Sequence, residues 1–178
     1  AAYPRRGDNS EEYQARYNEY MLRCFSRHPY LWGTYVWNMF DFAADARNQG
    51  GEPGMNHKGL VTFDRKTKKD SFYAYKAYWS DEKFVHIAGK RFENRTGNKT
   101  TVKVYTNCGG VQLYCNGKKV DGKTKDGRVF AFKIKLSETV NLRAVSGDCT
   151  DECTLHKVAA PDQSYRLHVH SETQSWQK

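Results

Sequence analysis

No stretch of this 178-residue chain is apolar over the ~20 residues that a membrane-spanning helix needs, and mean hydropathy is -0.87. The opening residues AAYPRRGDNS lack the apolar core of a secretion signal. The initiator methionine is also missing, which suggests a piece of a longer protein or a processed product. No phosphate-cradling glycine loop, no H-E-x-x-H and no internal repeat occurs. Cysteine is scarce and odd in number, at five. That argues against a disulfide framework and for free thiols in a reducing compartment, so a cytoplasmic location is expected. Cys149 and Cys153 form C-x₃-C, but the spacing of Cys108 and Cys115 is too long for a zinc knuckle. Neither metal nor cofactor is expected. Acid is in short supply, with 20 Asp and Glu against 29 Lys and Arg, for a net charge of +9. The basic residues are spread over Arg65–Lys69, Lys90-Arg91, Lys118–Lys125 and Lys133–Lys135. They read as solvated lysines on strand edges and turns rather than a nucleic-acid surface.

Aromatics are plentiful, at 14% with 4 Trp and 12 Tyr. They suit large core side chains or flat platforms for sugars and bases. The texture changes near Ser80. Before it, Asn9-Ser10-Glu11-Glu12 opens a helix with a polar cap and acidic first turn. Tyr13, Tyr17, Met21 and Cys24/Phe25 form its apolar face, and Pro29 ends it. Tyr30–Trp37 is apolar on both faces, as a buried parallel strand should be. Residues 44–58 read as a long polar loop, Gly59–Phe63 as a short extended segment. A second helix starts near Asp70-Ser71, with Phe72, Tyr75 and Trp79 on one face. Trp32 and Trp79 are expected in the core. From Phe84 the period is two. Val102, Val104 and Thr106 alternate with polar residues; so do Val111, Leu113 and Cys115, then Phe130, Phe132, Ile134 and Leu136, then Val140, Leu142 and Ala144. Asn116-Gly117 is a hairpin signal. This is the pattern of an immunoglobulin-like sandwich. Residues 161–178, with His168-x-His170, show no pattern and read as a tail or the start of a further segment.

The front half carries a resemblance. Gly33-Thr34-Tyr35-Val36-Trp37-Asn38-Met39-Phe40-Asp41-Phe42 looks like the last barrel strand of glycoside hydrolase family 2, β-galactosidase-like members included. Gly59-Leu60-Val61-Thr62-Phe63-Asp64-Arg65, Lys69–Tyr73 and Tyr75–Trp79 resemble the stretch after it, and Glu11–Tyr17 the helix before it. Residues 81–160 resemble the sandwich that follows. The fold class implied is α/β then all-β. Residues 1–80 would be the C-terminal part of a (β/α)₈ barrel, and 81–160 an immunoglobulin-like domain.

The resemblance implies a retaining glycosidase that cleaves terminal β-galactosides, with two carboxyl groups as nucleophile and acid/base. In the family both lie on earlier strands. Nucleophile and acid/base are therefore expected upstream of Ala1, no catalytic residue is expected within the chain, and the chain alone should not hydrolyse. Glu11 and Glu12 fit a helix-dipole role; Asp41 and Asp64 fit pocket structure. Substrate binding falls to Trp37, whose indole would stack on a pyranose face, and to Asn56 and Lys58 of Asn56-His57-Lys58-Gly59. Asn38 is a further candidate. In β-glucuronidases of the family such an Asn and Lys grip the sugar carboxylate. The context around Asp64–Tyr73 looks more galactosidase-like. The expected partners are a β-galactoside or related oligosaccharide and the rest of the barrel; nucleic acid and membrane are not. Apolar surface near Leu31, Tyr35 and Val36 would lie bare or be hidden by self-association, giving a homo-oligomer. A β-glucuronidase, a free-standing carbohydrate-binding sandwich and a basic nucleic-acid binder are the alternatives.

Overall fold

The computed structural model describes residues 10–49 and 52–160. Helix α1 (Glu11–Ser26) starts where the sequence placed it: Ser10 accepts the Tyr13 N–H through its hydroxyl. Strands β1 (Phe42–Gln49) and β2 (Glu52–Asn56) follow, then helix α2 (Asp70–Trp79). The remainder is strands: β3 (Val85–Ala88), β4 (Asn94–Arg95), β5 (Lys99–Thr106), β6 (Gln112–Cys115), β7 (Lys118–Val120), β8 (Gly122–Thr124), β9 (Val129–Lys135), β10 (Thr139–Ser146) and β11 (Cys149–Lys157). No helix among the described residues is long and apolar enough to cross a membrane.

Two sheets pack face to face. One has the order β4-β11-β10-β6-β7, the other β3-β5-β9-β8. Ile87, Val102, Val104, Phe132 and Ile134 of the smaller sheet meet Leu113, Val140, Leu142, Ala144 and Leu155 of the larger in one buried cluster. These are the alternating positions expected, because a period of two sends one set of side chains to one face. Asn116 and Gly117 both take positive φ (48° and 77°) between β6 and β7, as a primed two-residue hairpin requires.

Four expectations fail. Tyr30–Trp37 is not a strand; only an isolated parallel bridge, Phe40 to Val61, forms just after it. A strand buried on both faces needs hydrogen-bonded neighbours on both sides, and among the described residues it has none. Trp32, expected in the core, is instead 92% exposed, while Tyr35, 85% exposed, and Leu31 lie bare as expected. Residues 44–58 are not a bare loop, for β1 and β2 pair antiparallel, with an irregular register, despite their polar sequence. The buried face of α1 is Ala15, Asn18, Glu19 and Leu22, while Tyr17 is exposed. Trp79, expected inside, is 53% exposed and meets the Tyr75 ring edge-on. Two expectations concern stretches outside the described residues. One is the tail 161–178, with His168 and His170. The other places the catalytic carboxylates upstream of Ala1, which itself belongs to the undescribed residues 1–9.

The face of α1 is polar because it docks by hydrogen bonds. Tyr105 of β5 donates its hydroxyl to Glu19 at 2.5 Å, and Lys103 reaches both Glu19 oxygens at 2.8 Å. Burial first, and then the Glu19 charge, push the Tyr105 hydroxyl well above its ordinary pKa. On α2, Asp70 lies 3.1 Å from His86 Nε2 and accepts the Gly89 N–H at 2.7 Å. The Tyr73 ring stacks on His86, 3.6 Å between centroids. Glu11 accepts the Asp70 N–H at 2.6 Å and pairs with Arg91, so it caps α2 as well as lying in the first turn of α1. The helices thereby cover part of the outer face of the four-stranded sheet.

Removing Glu19 leaves a buried hydroxyl and an ammonium unmatched. Glu19→Ala is expected to destabilise the chain by about 3 kcal/mol. A urea midpoint unchanged from the parent would contradict this.

Candidate functional site

Residues 37–42 and 56–61 run side by side. Leu60 N–H donates to Asn38 O, Val61 N–H to Met39 O, and Asp41 N–H to Val61 O, all within 3.0 Å. Asn38 Oδ1 accepts the Phe40 N–H at 2.8 Å, turning the chain after the cis Trp37–Asn38 peptide. The Trp37 ring meets Phe42 edge-on at 6.0 Å, and Phe42 lies across from Asn56 in the β1–β2 register. Trp37, Asn38, Asn56 and Lys58 are thus brought to one region. Trp37 is 71% exposed and Lys58 is exposed, whereas Asn56 is buried and Asn38 half-buried.

The loop 56–59 is held from several sides. Asn56 Oδ1 accepts the Lys58 N–H at 3.0 Å. Gln14 of α1 donates to the carbonyls of Lys58 and Gly59 at 3.1 and 3.0 Å. Asp41, 1% exposed, accepts the Gly59 N–H at 2.9 Å and the Lys69 ammonium at 2.7 Å. That ammonium also donates to His57 O at 3.1 Å. A Cβ on Gly59 would sit 2.0 Å from Asp41 N and 2.2 Å from Phe40 C, so the glycine is there for close approach. Gln14, Lys69, Glu52 and His57 were absent from the residues chosen by sequence. His57 lay inside the Asn56–Gly59 motif, Gln14 inside Glu11–Tyr17 and Lys69 at the start of Lys69–Tyr73, but none of the motifs gave them a role at this loop. Asp64 accepts the Thr62 hydroxyl at 2.5 Å and the Lys66 N–H at 3.1 Å, and so shapes its own turn. The Thr62 bond first, then the Lys66 N–H, lower its pKa.

Charge in this region is unevenly matched. Lys69 is spent on Asp41. His57 lies between Asp41 Oδ2 at 3.6 Å and Glu52 Oε2 at 2.8 Å. The Lys58 ammonium has no ion pair among the described residues. With Asn56 Oδ1 committed, the Asn56 amide NH₂ is the end suited to a ligand acceptor. An exposed indole, an amide donor and an uncompensated ammonium can together hold a ring with an apolar face and an anionic substituent.

No family model matches the chain. A β-glucuronidase of Bacteroides fragilis is 38% identical over 152 residues, which is 82% of this chain and 22% of that protein. The β-galactosidase BoGH2A of Bacteroides ovatus is 28% identical over 159 residues, covering 83% of this chain and 18% of that protein. Among solved structures, an FMN-binding β-glucuronidase from Faecalibacterium prausnitzii L2-6 superposes with TM-score 0.88 and 50% identity, over 94% of this chain and 26% of that one. A putative β-galactosidase from Bacteroides fragilis gives TM-score 0.79 and 36% identity, over 86% and 24%. The chain spans about a fifth of the length of these curated relatives.

His57 supplies a pH dependence. Asp41 raises its pKa, burial opposes, and the Glu52 charge adds to the rise. A pKa raised on folding stabilises the fold fully below the unfolded value, about 6.5, and this is lost as pH rises through the folded value. The urea midpoint is therefore expected to be higher near pH 6 than near pH 8, and His57→Gln to shrink that difference. Equal pH responses of the two proteins would refute the assignment.

Proposed function

Because this chain is homologous to a segment of the family 2 glycoside hydrolases, we propose that it forms one wall of the sugar pocket of a retaining β-glycosidase, with β-glucuronides preferred. The observation that carries the reading is the exposed, unpaired Lys58 ammonium on a loop fixed by Asp41, Gln14 and Asn56. A glucuronide presents a carboxylate to that ammonium, where a galactoside presents a neutral hydroxymethyl group. The galactoside preference suggested by the context of Asp64–Tyr73 yields to this charge argument, and the names of the relatives lean the same way. Trp37 stacks on the sugar ring, the Asn56 amide donates to the carboxylate or a hydroxyl, and Asn38 holds the turn beneath them.

The carboxylate pair comes from outside this segment. Within it, Asp41 is buried under Lys69 and Glu11 is tied to Arg91, so neither is placed to attack a sugar. On this reading residues 1–80 complete a (β/α)₈ barrel, and Leu31, Trp32 and Tyr35, bare here, pack against its other strands. Residues 81–160 are its immunoglobulin-like companion.

A titration of the 178-residue chain with a β-glucuronide and with the matching β-galactoside, followed by Trp fluorescence and amide shifts, tests this. The glucuronide is expected to bind more tightly, and Lys58→Ala to weaken it about tenfold or more, the worth of one charge-assisted hydrogen bond. Equal affinities for the two sugars would remove the glucuronide preference. Binding that survives both Lys58→Ala and Trp37→Ala unchanged would remove the pocket.

A flavin is a second reading, favoured by the 50% identity with the FMN-binding Faecalibacterium prausnitzii enzyme over 94% of this chain. The exposed Trp32 and Tyr35 rings suit stacking on an isoalloxazine. Neither helix N-terminus suits its phosphate, since Ser10 already caps α1 and Glu11 caps α2. A phosphate falls instead to lysine or arginine side chains. Quenching of FMN fluorescence on adding the chain is expected; a flat titration would dismiss the flavin.

A further inference from the structure

We propose that the outer face of the four-stranded sheet carries a binding strip for an anionic polysaccharide, formed by Lys99, Lys123, Lys133 and Lys135. The strand register builds it. Lys99 lies opposite Lys135, Thr101 opposite Lys133, and Ala131 between Lys103 and Lys123. The intervening Val102, Phe132 and Ile134 belong to the buried core, so these positions share the other face.

The same face shows how a lysine is treated when the fold has a partner for it. Lys103 is paired with the buried Glu19 beneath α1. Past that point the helices no longer cover the sheet. Lys99, Lys123, Lys133 and Lys135 are all exposed, and none has an ion pair among the described residues. The strip contains no Asp or Glu. Like charges set directly across two strands repel, so Lys99 opposite Lys135 carries a cost. Guarding a bare sheet edge accounts for Lys123 on the edge strand β8 but not for Lys99, Lys133 and Lys135, because β5 and β9 are the inner strands of β3-β5-β9-β8. The reading of Lys133 and Lys135 as edge lysines is corrected on that ground. Solubility alone calls for mixed signs rather than one sign.

The strip has the dimensions of a chain-binding surface. From 131 to 135 along β9 is ~14 Å, and three strands span ~10 Å. Thr101 and Ala131 give it a low floor between the ammonium groups. Phe130 and Phe132 pack on the core cluster, so the face offers no ring to stack on a base. Lysine point charges over a small-residue floor suit a sulfated or uronate-bearing glycan, a choice over nucleic acid that rests on the glycosidase reading above.

Titration of the 178-residue chain with heparin oligosaccharides and with hyaluronan, over a range of salt, tests the strip. Binding is expected to weaken steadily as salt rises, and Lys133→Gln/Lys135→Gln to lower affinity on the order of tenfold. Lys118→Gln/Lys119→Gln, the same loss of charge on the edge strand β7 of the other sheet, is expected to change it less than about twofold. All four substitutions are at exposed positions, so thermal midpoints should be unchanged, or higher for the strip variant. No binding by the parent chain, or equal losses in the two variants, would overturn the proposal. So would duplex DNA bound as tightly as heparin and lost in the same variant. The glucuronide response at Lys58, measured on the same samples, reports separately on the pocket.

Discussion

A carboxylate taken out of water must recover its solvation from the protein, and Asp41 does so at Oδ1 from the Lys69 ammonium and the Gly59 N–H, with His57 3.6 Å from Oδ2. Much of the front half follows from that one requirement. The N–H can reach Asp41 only because residue 59 has no side chain. Lys69 stands at the start of α2, so the second helix is tied to the loop. Gln14 brings in α1 from the other side. Asp41 itself is fixed through its backbone to Val61, and its carbonyl accepts from Arg65. With the carbonyls of 58 and 59 held and the side chain of Asn56 folded onto the Lys58 N–H, the side chain of Lys58 points out of a loop with little freedom left. Preorganisation of that kind lowers the ordering cost that a ligand would otherwise meet.

The sandwich stands under this loop through polar rather than apolar docking. Glu19 on Tyr105 and Lys103, Asp70 on His86 and Gly89, and Glu11 on Arg91 are three separate fixings between the helices and the strand-rich half. Leu22, Leu60, Ala74, Ala77 and Phe84 supply the apolar burial around Tyr105. Burial of that kind is indifferent to small sliding, whereas paired charges are not. The polar set fixes orientation more than it adds stability. Errors in the sandwich thus propagate to the loop through α1 and α2, even though the side-chain contacts that hold residues 56–59 come from the front half.

The strands of the sandwich were legible because alternation is a local property. Val102–Val104, Phe132–Ile134 and Leu142–Ala144 announce a face without reference to anything else. Ser10 and the acids after it likewise announced α1. Tyr30–Trp37 misled because an apolar run reports only a wish for burial, and the neighbours that would satisfy it are not among the described residues. Strands β1 and β2 were invisible because FAADARNQ has no period to read. The face of α1 was misplaced because Glu19 is buried by its partners, and those lie far off in sequence. At the candidate site, Trp37, Asn56 and Lys58 were singled out through a motif. Gln14 and Lys69 were not, since a hydrogen bond spanning dozens of residues leaves no spacing signal. The Lys133–Lys135 alternation was readable too, but strand order, which decides edge from interior, was not.

The placing of charge connects the pocket to the sheet face. The net charge of +9 understates how basic the surface is, because the acids are disproportionately consumed inside. Glu19, Asp41 and Asp70 are buried, and Glu11, Asp126 and Asp151 are bound to hydroxyls, N–H groups or cations. Each acid so used removes a counter-charge from the outside. Lys58 and the strip on β5, β8 and β9 are then two outcomes of one distribution: cations left exposed because the fold spends its carboxylates on its own joints. An approaching anion meets a field stronger than the composition implies. On both proposals it is held where geometry adds to that field: a rigid loop with an indole beside it in one, a regular strand register in the other.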